Sequence, residues 1–412
     1  MNRTRVDVAI VGAGAAGLMA GIWAGRAAPQ QRIVLLDGAR KLGAKILVSG
    51  GGRCNVTHDQ VNVAAYAGAS PHAIKKVLSR FDVPQTVAFF RDLGVTLKRE
   101  ESGKLFPATD RAETVLDALL TAVSQANVPI YHPYRVESMD KTAVGFRLAG
   151  PWGELTAVRV ILATGGRSIP KSGSDGHGYR LAQALGHSLT PAILPALVPL
   201  TLPDGHFIRA LSGVTLPAML TLHTATGKKV VAFTDSTLCT HFGLSGPAVL
   251  DISRHFLAAQ RDDPGHVLTI NWLPSFAPDQ LDGALQGLRQ KSVVGYLRAH
   301  LPERLAAALC VQAGVAPDTA GHHLTRAARC ALVQQVMHCP LPISGSRGYN
   351  YAEVTAGGVP LSELDLKTMQ SRRCPGLFLC GEICDVDGRI GGYNFQWAWA
   401  SGYTAGIAAA GA

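Results

Sequence analysis

The sequence predicts an α/β protein in which one domain with a parallel sheet is interrupted by an insertion. Three observations favour this fold. The 412-residue chain is 47% hydrophobic and 17% charged, which is typical of a globular core and excludes a mainly disordered or fibrous protein. A strand, glycine turn, helix and second strand follow one another near its start. The glycine-rich, strand-like character of that segment returns from about Gly345, after a stretch of different composition.

The opening unit is the clearest element of the pattern. An apolar, β-branched run at 6–11 precedes a helix of small residues at 15–28, and a second apolar run follows at Ile33–Leu36. Strands of this kind joined by a helix form a βαβ unit of about thirty residues.

The turn inside this unit carries a GxGxxG pattern at Gly12, Gly14 and Gly17. Asp37 ends the second strand, 20 residues after Gly17. This context is typical of a dinucleotide site, where the helix N-terminus binds the pyrophosphate and the acid binds a ribose hydroxyl. The sequence therefore predicts a Rossmann-like domain, with phosphate contacts from Gly12, Gly14, Ala15, Ala16 and Gly17.

A second glycine loop follows in the string KILVSGGGRCN. Three successive glycines expose main-chain amides and let a flat ring system lie against the backbone. Lys45 and Arg53 suit a phosphate or a negatively charged ring. The expected contacts in this loop are Lys45, Ser49, Gly50, Gly51, Gly52, Arg53, Cys54 and Asn55.

A third motif ends an apolar strand with Ala163, Thr164, Gly165 and Gly166. This is the second fingerprint expected of flavoproteins of the two-dinucleotide type, and it makes FAD the expected cofactor. Val136, in an earlier predicted strand, is added to the expected contacts. Helices are predicted at 71–78, 84–93, 112–125 and 175–185, and strands at 135–139, 145–148 and 156–162.

A fourth motif pairs the buried strand before Gly381 and Glu382 with a double glycine that opens a helix of small residues. The acid is expected on the ribityl chain. The helix N-terminus is expected to face the N1/C2=O edge of the flavin and stabilise the anionic reduced ring. The remaining expected contacts of this segment are Gly357, Gly391, Gly392, Tyr393, Asn394 and Phe395.

Between the flavin motifs the composition shifts. Prolines punctuate 191–203, a hairpin is predicted from 214–223 and 229–233, a helix begins at Pro247, and several helices are predicted over 278–338. The sequence thus predicts a discontinuous Rossmann-like FAD-binding domain at 1–190 and 344–412. The inserted domain at 191–343 is β-rich at 191–275 and helical at 276–343. We expect this insertion to cover the reactive face of the flavin as a substrate or cap domain.

These pieces resemble a known family. The strings KILVSGGGRCN, ILATGG and GEICDVDGRIGGYNFQWAWASGY are similar to those of the BaiN-type NAD(P)/FAD-dependent oxidoreductases, also labelled aminoacetone-oxidase-like flavoproteins. The resemblance covers essentially the whole chain, and THFGLSGPAVL supports it within the insertion. It implies one FAD, a discontinuous FAD domain and an inserted β-rich plus helical domain. Asp37 stands where glutamate is more usual in the flavoprotein fingerprint.

Two side chains are candidate catalytic groups. Cys54 lies in the expected flavin loop, where the alternative is a small packing residue. His241 in the insertion is a candidate general acid, and the alternative is a structural histidine. We interpret Cys380 and Cys384 as packing residues, and no metal site is expected because the histidines and cysteines lack ligand spacing.

The net charge and the cysteine content limit the expected partners and cellular compartment. The formal net charge is +10, but no run of five or more Lys or Arg occurs, so a nucleic-acid partner is not expected. The eight irregularly spaced cysteines indicate a reducing compartment, and no segment is expected to span a membrane. A cytoplasmic location is expected, and the oligomeric state is left open.

The sequence therefore predicts an FAD-dependent oxidoreductase. The preferred activity is a reductase or dehydrogenase of a small organic substrate. Because the single dinucleotide fingerprint is assigned to FAD, we expect NAD(P)H to dock only transiently. An amine-type flavin oxidase that uses oxygen is the first alternative, and a flavoprotein acting on RNA is the second.

Overall fold

The computed structural model describes residues 4–316 and 318–411, and the chain divides into two compact units. Unit 1 consists of Met1–Pro195 together with Ala352–Ala412, and unit 2 consists of Ala196–Tyr351. The chain therefore leaves unit 1 once and returns to it once, so that unit 2 is an insertion.

Unit 2 begins at Ala196 and ends at Tyr351, whereas the sequence placed these limits at 191 and 343. Both observed limits therefore lie later in the chain than expected. At the second limit the reason is strand pairing. Gly345–Ser346 pairs antiparallel with Leu200–Thr201, both inside unit 2. The glycine-rich composition that begins at Gly345 thus starts before the chain has left the inserted sheet.

The main sheet of unit 1 is built around three parallel strands. Thr4–Val11 lies between Gly153–Leu162 and Ile33–Leu36, and Val11 is aligned with Leu162 on one side and Leu36 on the other. The carboxyl ends of these strands therefore meet at one edge of the sheet. The order across the sheet is Leu364–Asp365, Gln370–Ser371, Leu377–Leu379, Gly153–Leu162, Thr4–Val11, Ile33–Leu36 and Ile130–Tyr131, with Gly145–Gly150 and then Ser138–Thr142 joined to Gly153–Leu162.

Further elements surround this sheet. The remaining strands of unit 1 are Thr57–His58, Tyr66–Gly68, Leu97–Arg99, Lys104–Pro107, Val354–Ala356 and Val386–Gly388, and Leu194–Ala196 ends where the chain passes into unit 2. The helices of unit 1 are Ala15–Ala27, Ala44–Val48, Pro71–Leu78, Val83–Asp92, Ala112–Gln125, His177–Ala184 and Tyr393–Ala410.

The first and last helices of unit 1 pack closely. A Cβ atom on Gly402 would lie 2.5 Å from the carbonyl oxygen of Ala16, and one on Gly406 would lie 2.4 Å from that of Ala20. Side chains larger than hydrogen at these two positions would force the helices apart. The segment after unit 2 thereby completes the domain that the segment before it begins.

Local sequence signals explain the helices that match their prediction. Pro71–Leu78 begins after Ser70, whose hydroxyl accepts a hydrogen bond from the amide of Ala73. Val83–Asp92 has a capping box between Asp82 and Gln85. Such caps satisfy amide donors that a helix N-terminus otherwise leaves free.

One strand prediction was displaced. The sequence placed a strand at 135–139, whereas the strand is Ser138–Thr142. The preceding residues bond elsewhere, since the amide of Tyr134 donates to the carbonyl oxygen of Asp37 at 2.6 Å and the carbonyl of Arg135 accepts from the indole of Trp152 at 2.7 Å. Val136 is buried in this irregular segment.

Unit 2 contains an antiparallel sheet and several helices. The predicted hairpin is present, but its second strand continues to Thr240, because the polar stretch after Phe233 still pairs with the first strand, with Asp235 opposite Ala218. The sheet order is Cys339–Leu341, Val267–Asn271, Thr215–His223, Lys229–Thr240, Gly243–Ser245, Leu200–Thr201 and Gly345–Ser346. The helices are Phe207–Ala210, Pro247–Asp262, Pro278–Gln286, Val293–Arg298, Glu303–Gln312 and Arg326–Met337.

Unit 2 has its own hydrophobic core, with Leu220, Ile252 and Trp272 among its buried residues. A separate core fills unit 1 around Ile10, Leu35 and Trp399. Within the described part of the chain, no helix combines the length and hydropathy needed to cross a bilayer.

Candidate flavin-binding site

The first glycine loop lies at the edge where the parallel strands end. A Cβ on Gly12 would lie 2.4 Å from the carbonyl oxygen of Ala163, and one on Gly17 would lie 1.8 Å from that of Gly12. Gly14 differs, because nothing lies within 4 Å of where its Cβ would be. Gly12 and Gly17 therefore close the strand–helix junction, and Gly14 opens onto space at the N-terminus of the helix that begins at Ala15. The exposed amides there suit a pyrophosphate.

The Asp37 carboxylate is part of the same edge. One of its oxygens accepts a hydrogen bond from the amide of Ala13 at 2.6 Å, and the other from the amide of Ala39 at 2.7 Å. The side chain therefore fixes the glycine loop. Because each carboxylate oxygen accepts more than one hydrogen bond, Asp37 can still receive a ribose hydroxyl.

The triple glycine loop adopts a conformation that favours glycine. The φ angles are +56° at Gly50, +69° at Gly51 and +86° at Gly52. Nothing lies within 4 Å of a Cβ on Gly51. Asn55 is buried, and its Oδ1 has no hydrogen-bond partner among residues 4–316 and 318–411. A buried acceptor beside an open glycine backbone fits the N–H edge of a bound ring.

Cys54 follows this loop and is fully buried. Burial raises the pKa of its thiol to about 12, and a hydrogen bond with Ser49 opposes this only in part. The hydroxyl of Ser49 donates to the carbonyl of Ile46 at 2.7 Å. The thiol thus stays protonated near neutral pH, as a packing residue does and a thiolate nucleophile does not.

Lys45 and Glu382 form an ion pair. Lys45 Nζ also donates to Ser168 Oγ at 2.8 Å, and Ser168 Oγ donates to Glu382 Oε1 at 2.8 Å. The amide of Thr355 donates to the same carboxylate oxygen at 2.9 Å. Two residues expected separately on phosphate and ribityl groups are therefore brought together, and each neutralises the other.

Ser168 was missed in the sequence, whereas Thr355 begins the segment before Gly357 and Gly358 that was expected to flank the ring. Thr355 Oγ1 accepts from the amides of Arg167 at 2.7 Å and Ser168 at 3.1 Å, which holds the turn after the ATGG motif. The only available signal for Ser168 was its position two residues after the ATGG motif. In the same turn Thr164 Oγ1 is buried without a hydrogen-bond partner in the described chain.

Arg53 is held by unit 1 itself. Its guanidinium pairs with Glu100 at 2.7 Å and with Asp110 at 3.7 Å, and lies over the ring of Phe106 at 4.0 Å. Its side chain is 39% exposed. Arg53 thus lies on the expected loop but already has two carboxylate partners.

The C-terminal flavin motif forms a tight turn before the last helix. Gly391 and Gly392 have φ angles of +125° and +95°. A Cβ on Gly392 would lie 2.6 Å from the carbonyl carbon of Thr57. The amide side chain of Asn394 makes two 2.8 Å hydrogen bonds with the backbone of Gly388. This turn fixes the start of the helix Tyr393–Ala410.

The neighbouring aromatic residues pack within unit 1. The ring of Tyr393 stacks on His58 with centroids 5.1 Å apart, and Phe395 stacks on Trp399 at 5.4 Å. The amide of Gly381 donates to Ser401 Oγ at 2.9 Å. These contacts anchor the segment on the last helix.

Two further expected residues belong to other segments of the chain. A Cβ on Gly357 would lie 2.2 Å from the carbonyl oxygen of Ala192, so Gly357 permits a close backbone approach. His241 belongs to unit 2, where it is exposed and its carbonyl accepts a hydrogen bond from Arg209 Nε at 2.8 Å. Among the residues that the structure describes, no group of three or more His, Cys, Asp or Glu is placed to hold a metal.

The arrangement in unit 1 fits FAD. Gly14 and Gly51 leave open space beside exposed backbone amides. Asn55 and Thr164 contribute buried polar atoms that lack partners in residues 4–316 and 318–411. Because buried polar atoms are normally hydrogen-bonded, these two atoms are available to the polar groups of a bound FAD.

Comparison with known proteins identifies the family of this chain. A family model described as "HI0933-like protein Rossmann domain" matches residues 6–408. The chain is 36% identical over 402 residues to the ribosomal RNA dihydrouridine synthase of Escherichia coli, covering 97% of this chain and 96% of that protein. It is 34% identical over 415 residues to the 3-dehydro-bile acid delta(4,6)-reductase of Clostridium scindens, covering 100% and 99%.

A solved structure supports the fold. The 3-ketosteroid delta1-dehydrogenase of Sterolibacterium denitrificans aligns with a TM-score of 0.54 at 14% identity, covering 99% of this chain and 100% of that one. The family match spans both segments of unit 1 and the insertion between them. The chain belongs to the HI0933-like Rossmann-domain family and is an FAD-dependent oxidoreductase.

Proposed function

We propose that this protein is a reductase that adds two hydrogens to a carbon–carbon double bond conjugated with a carbonyl group, with NAD(P)H as a transiently docked donor. One observation carries the proposal. Two relatives of nearly equal identity, 36% and 34%, have names that describe this chemistry on different molecules. A 3-dehydro-delta(4,6) steroid has its double bonds next to a ketone, and uridine becomes dihydrouridine when the bond conjugated with its ring carbonyl is reduced.

When bound, FAD would supply the hydride-transfer chemistry that links the donor to the substrate. The residues of unit 1 bind and orient it. The amides at Gly14 would hold the pyrophosphate, Asp37 the ribose, and the open backbone at Gly51 with Asn55 the ring. The Lys45–Glu382 pair would present a cation and an anion to the polar parts of the cofactor.

The substrate also needs a proton at the carbon next to its carbonyl group. We propose that His241 supplies it from a ring nitrogen, because this histidine is exposed in unit 2 and can exchange protons with solvent. The buried thiol of Cys54 is the weaker candidate, since burial raises its pKa to about 12. Unit 2 thus serves as the substrate domain.

The first substrate class is a small organic enone. A uridine in ribosomal RNA is the second candidate, favoured by the name of the Escherichia coli relative and of a Haemophilus influenzae relative at 33% identity. The net charge of +10 also attracts a polyanion. Both candidate substrates contain a double bond conjugated with a carbonyl group, and they differ in the rest of the molecule.

The test begins with anaerobic stopped-flow bleaching of the flavin by NADH and by NADPH. We expect at least one donor to bleach it, and raised salt to weaken NADPH more than NADH, since the extra phosphate adds a screened attraction. The reduced enzyme is then mixed with a 3-keto-4,6-diene steroid or with unmodified ribosomal RNA, and products are analysed by mass spectrometry. We expect reoxidation of the flavin with a gain of two hydrogens in one substrate.

Two outcomes would contradict the proposal. If neither donor bleaches the flavin while an amine does, and peroxide accumulates in air, the protein is an amine-type oxidase. If the reduced flavin is reoxidised by neither conjugated substrate, the proposed reacting group is wrong.

A further inference from the structure

Arg347 of unit 2 is held between two aromatic rings. Its Cζ atom lies 3.5 Å from the ring centroid of Tyr351 and 4.4 Å from that of Phe242. Its backbone amide donates to the carbonyl of Pro199 at 3.0 Å, which extends the pairing of the neighbouring edge strand. We call Arg347, Phe242 and Tyr351 the arginine stack.

The guanidinium of Arg347 has no acceptor of its own. Across residues 4–316 and 318–411, no carboxylate, carbonyl or hydroxyl oxygen accepts a hydrogen bond from it. Arg209, in the same unit, shows the usual alternative, since it pairs with Asp204 and donates to the carbonyl of His241. Arg347 thus keeps a planar set of N–H donors unused while its position is fixed.

A guanidinium fixed in this way is suited to an oxyanion. Its planar fork matches the two oxygens of a phosphate or a carboxylate, and the flanking rings fix its orientation before binding. Tyr351 is 51% exposed, so its ring also offers surface to a flat group beside the anion. Phe242 directly follows His241, and their rings meet at 5.1 Å. An anion on Arg347 would therefore bind close to the proposed proton donor.

We propose that Arg347 is the residue of unit 2 that binds an oxyanion of the substrate, a phosphate or a carboxylate. The inference rests on the proposed function and narrows its enone class to molecules that carry an acid group, as a bile acid does. An RNA contributes phosphodiesters, and a bile acid contributes its acid group.

The test compares R347M and R347K with the wild type and with R261A. Methionine keeps an apolar stem between the rings and removes the donors, whereas lysine keeps the charge and loses the planar fork. Arg261 is exposed at the end of the helix Pro247–Asp262 of the same unit, so R261A removes one charge without touching the stack. Bound FAD and thermal unfolding confirm that each variant is folded.

Binding is measured on the oxidised holoenzyme, without turnover. The probes are a labelled single-stranded ribosomal RNA fragment, read by fluorescence anisotropy over a salt series, and a bile-acid 3-keto-4,6-diene with its methyl ester, read by flavin absorbance. For the probe that the wild type binds, R347M should raise Kd about 10- to 100-fold. R347K should give an intermediate Kd, and R261A should match the wild type.

The two sources of the anion are distinguished by the probes. If RNA is the ligand, R347M should lower the salt dependence of binding by about one phosphate contact. If the carboxylate is the ligand, the methyl ester should bind the wild type and R347M equally weakly.

A folded R347M that binds the preferred probe as tightly as the wild type would overturn this inference and leave the proposed function standing. A wild type that binds neither probe would overturn the inference and the substrate proposal together.

Discussion

The two glycine loops of unit 1 use the same residue for different physical reasons. In the first loop, Gly12 and Gly17 are needed because a Cβ would collide with backbone oxygens. In the triple glycine loop, the space around Gly51 is empty, and glycine is needed because φ is +69°. Gly17 is thus limited by packing and Gly51 by backbone conformation, whereas Gly12 is limited by both, because its φ is +105°. A GG or GxG pattern in a sequence does not show whether packing or backbone conformation requires the glycine.

The largest effect should come from packing in the first loop. Gly17→Ala places a Cβ 1.8 Å from the carbonyl oxygen of Gly12, so we expect a loss of about 3 kcal/mol in the free energy of unfolding and no retained FAD. Gly14→Ala is the matched control, because its Cβ meets nothing within 4 Å. It should fold normally and bind FAD more weakly, because the methyl group enters the space assigned to the pyrophosphate. Urea unfolding and bound-flavin content check both. Equal stability of the two variants would contradict the distinction.

The second effect concerns the ion pair at the start of the triple glycine loop. Lys45→Met leaves the Glu382 carboxylate, whose side chain is only 18% exposed, without its cation. Since the pair is partly hydrated, we expect a loss of about 2 kcal/mol in flavin-free protein. The double variant with Glu382→Gln should be more stable than Lys45→Met alone, because no uncompensated charge remains. Additive losses in a double-mutant cycle would show that the pair contributes no coupling.

A smaller effect should come from backbone conformation in the triple glycine loop. Gly51→Ala has room for its methyl group but must adopt a positive φ, which costs about 1 kcal/mol. Gly51→Asn should cost less, because asparagine tolerates this region better. Thermal unfolding of the two variants measures the difference. If alanine and asparagine are equally tolerated, the loop relaxes to another conformation.

The last effect, which is absent at neutral pH, is a pH dependence at the end of the same loop. Folding raises the pKa of Cys54 from 9.0 to about 12, so the folded protein holds the thiol proton more tightly than the unfolded chain. This contribution to stability is complete below pH 9 and is lost as pH rises toward 12. Cys54→Ala should therefore lose stability less steeply between pH 9 and 11. Cys330→Ala, at an exposed cysteine, should keep the wild-type slope. Identical slopes for both variants would contradict the assignment.

The sequence predicted the local elements of unit 1 well. The helix at Ala112–Gln125 matches its predicted limits, because its apolar residues recur at helical spacing on one face. The family, the fold class and the FAD-dependent oxidoreductase activity were confirmed by the comparisons. These properties follow from patterns that are close together in the chain.

Contacts between residues far apart in the chain could not be predicted from the sequence. Lys45 and Glu382 are 337 residues apart, and no local pattern indicates that they pair. The strand that continues to Thr240 was cut short in prediction because its residues after Phe233 are mostly polar, although they pair with the neighbouring strand and Thr237 among them is buried. The burial of Cys54 likewise depends on packing around the whole loop. The assignment of individual site residues and the role of the insertion remain predictions.

The close packing of the first and last helices of unit 1 has a consequence for biosynthesis. Gly402 and Gly406 bring the helix Tyr393–Ala410 against the backbone of the helix Ala15–Ala27. A nascent chain emerging from the ribosome exposes the first helix early and its packing partner only hundreds of residues later. The small-residue surface of the first helix therefore lacks its packing partner while unit 2 is synthesised and folds around its own core. Capture of FAD then becomes an event that follows synthesis of the last helix, and a chain halted before Tyr393 should carry a folded insertion but no flavin.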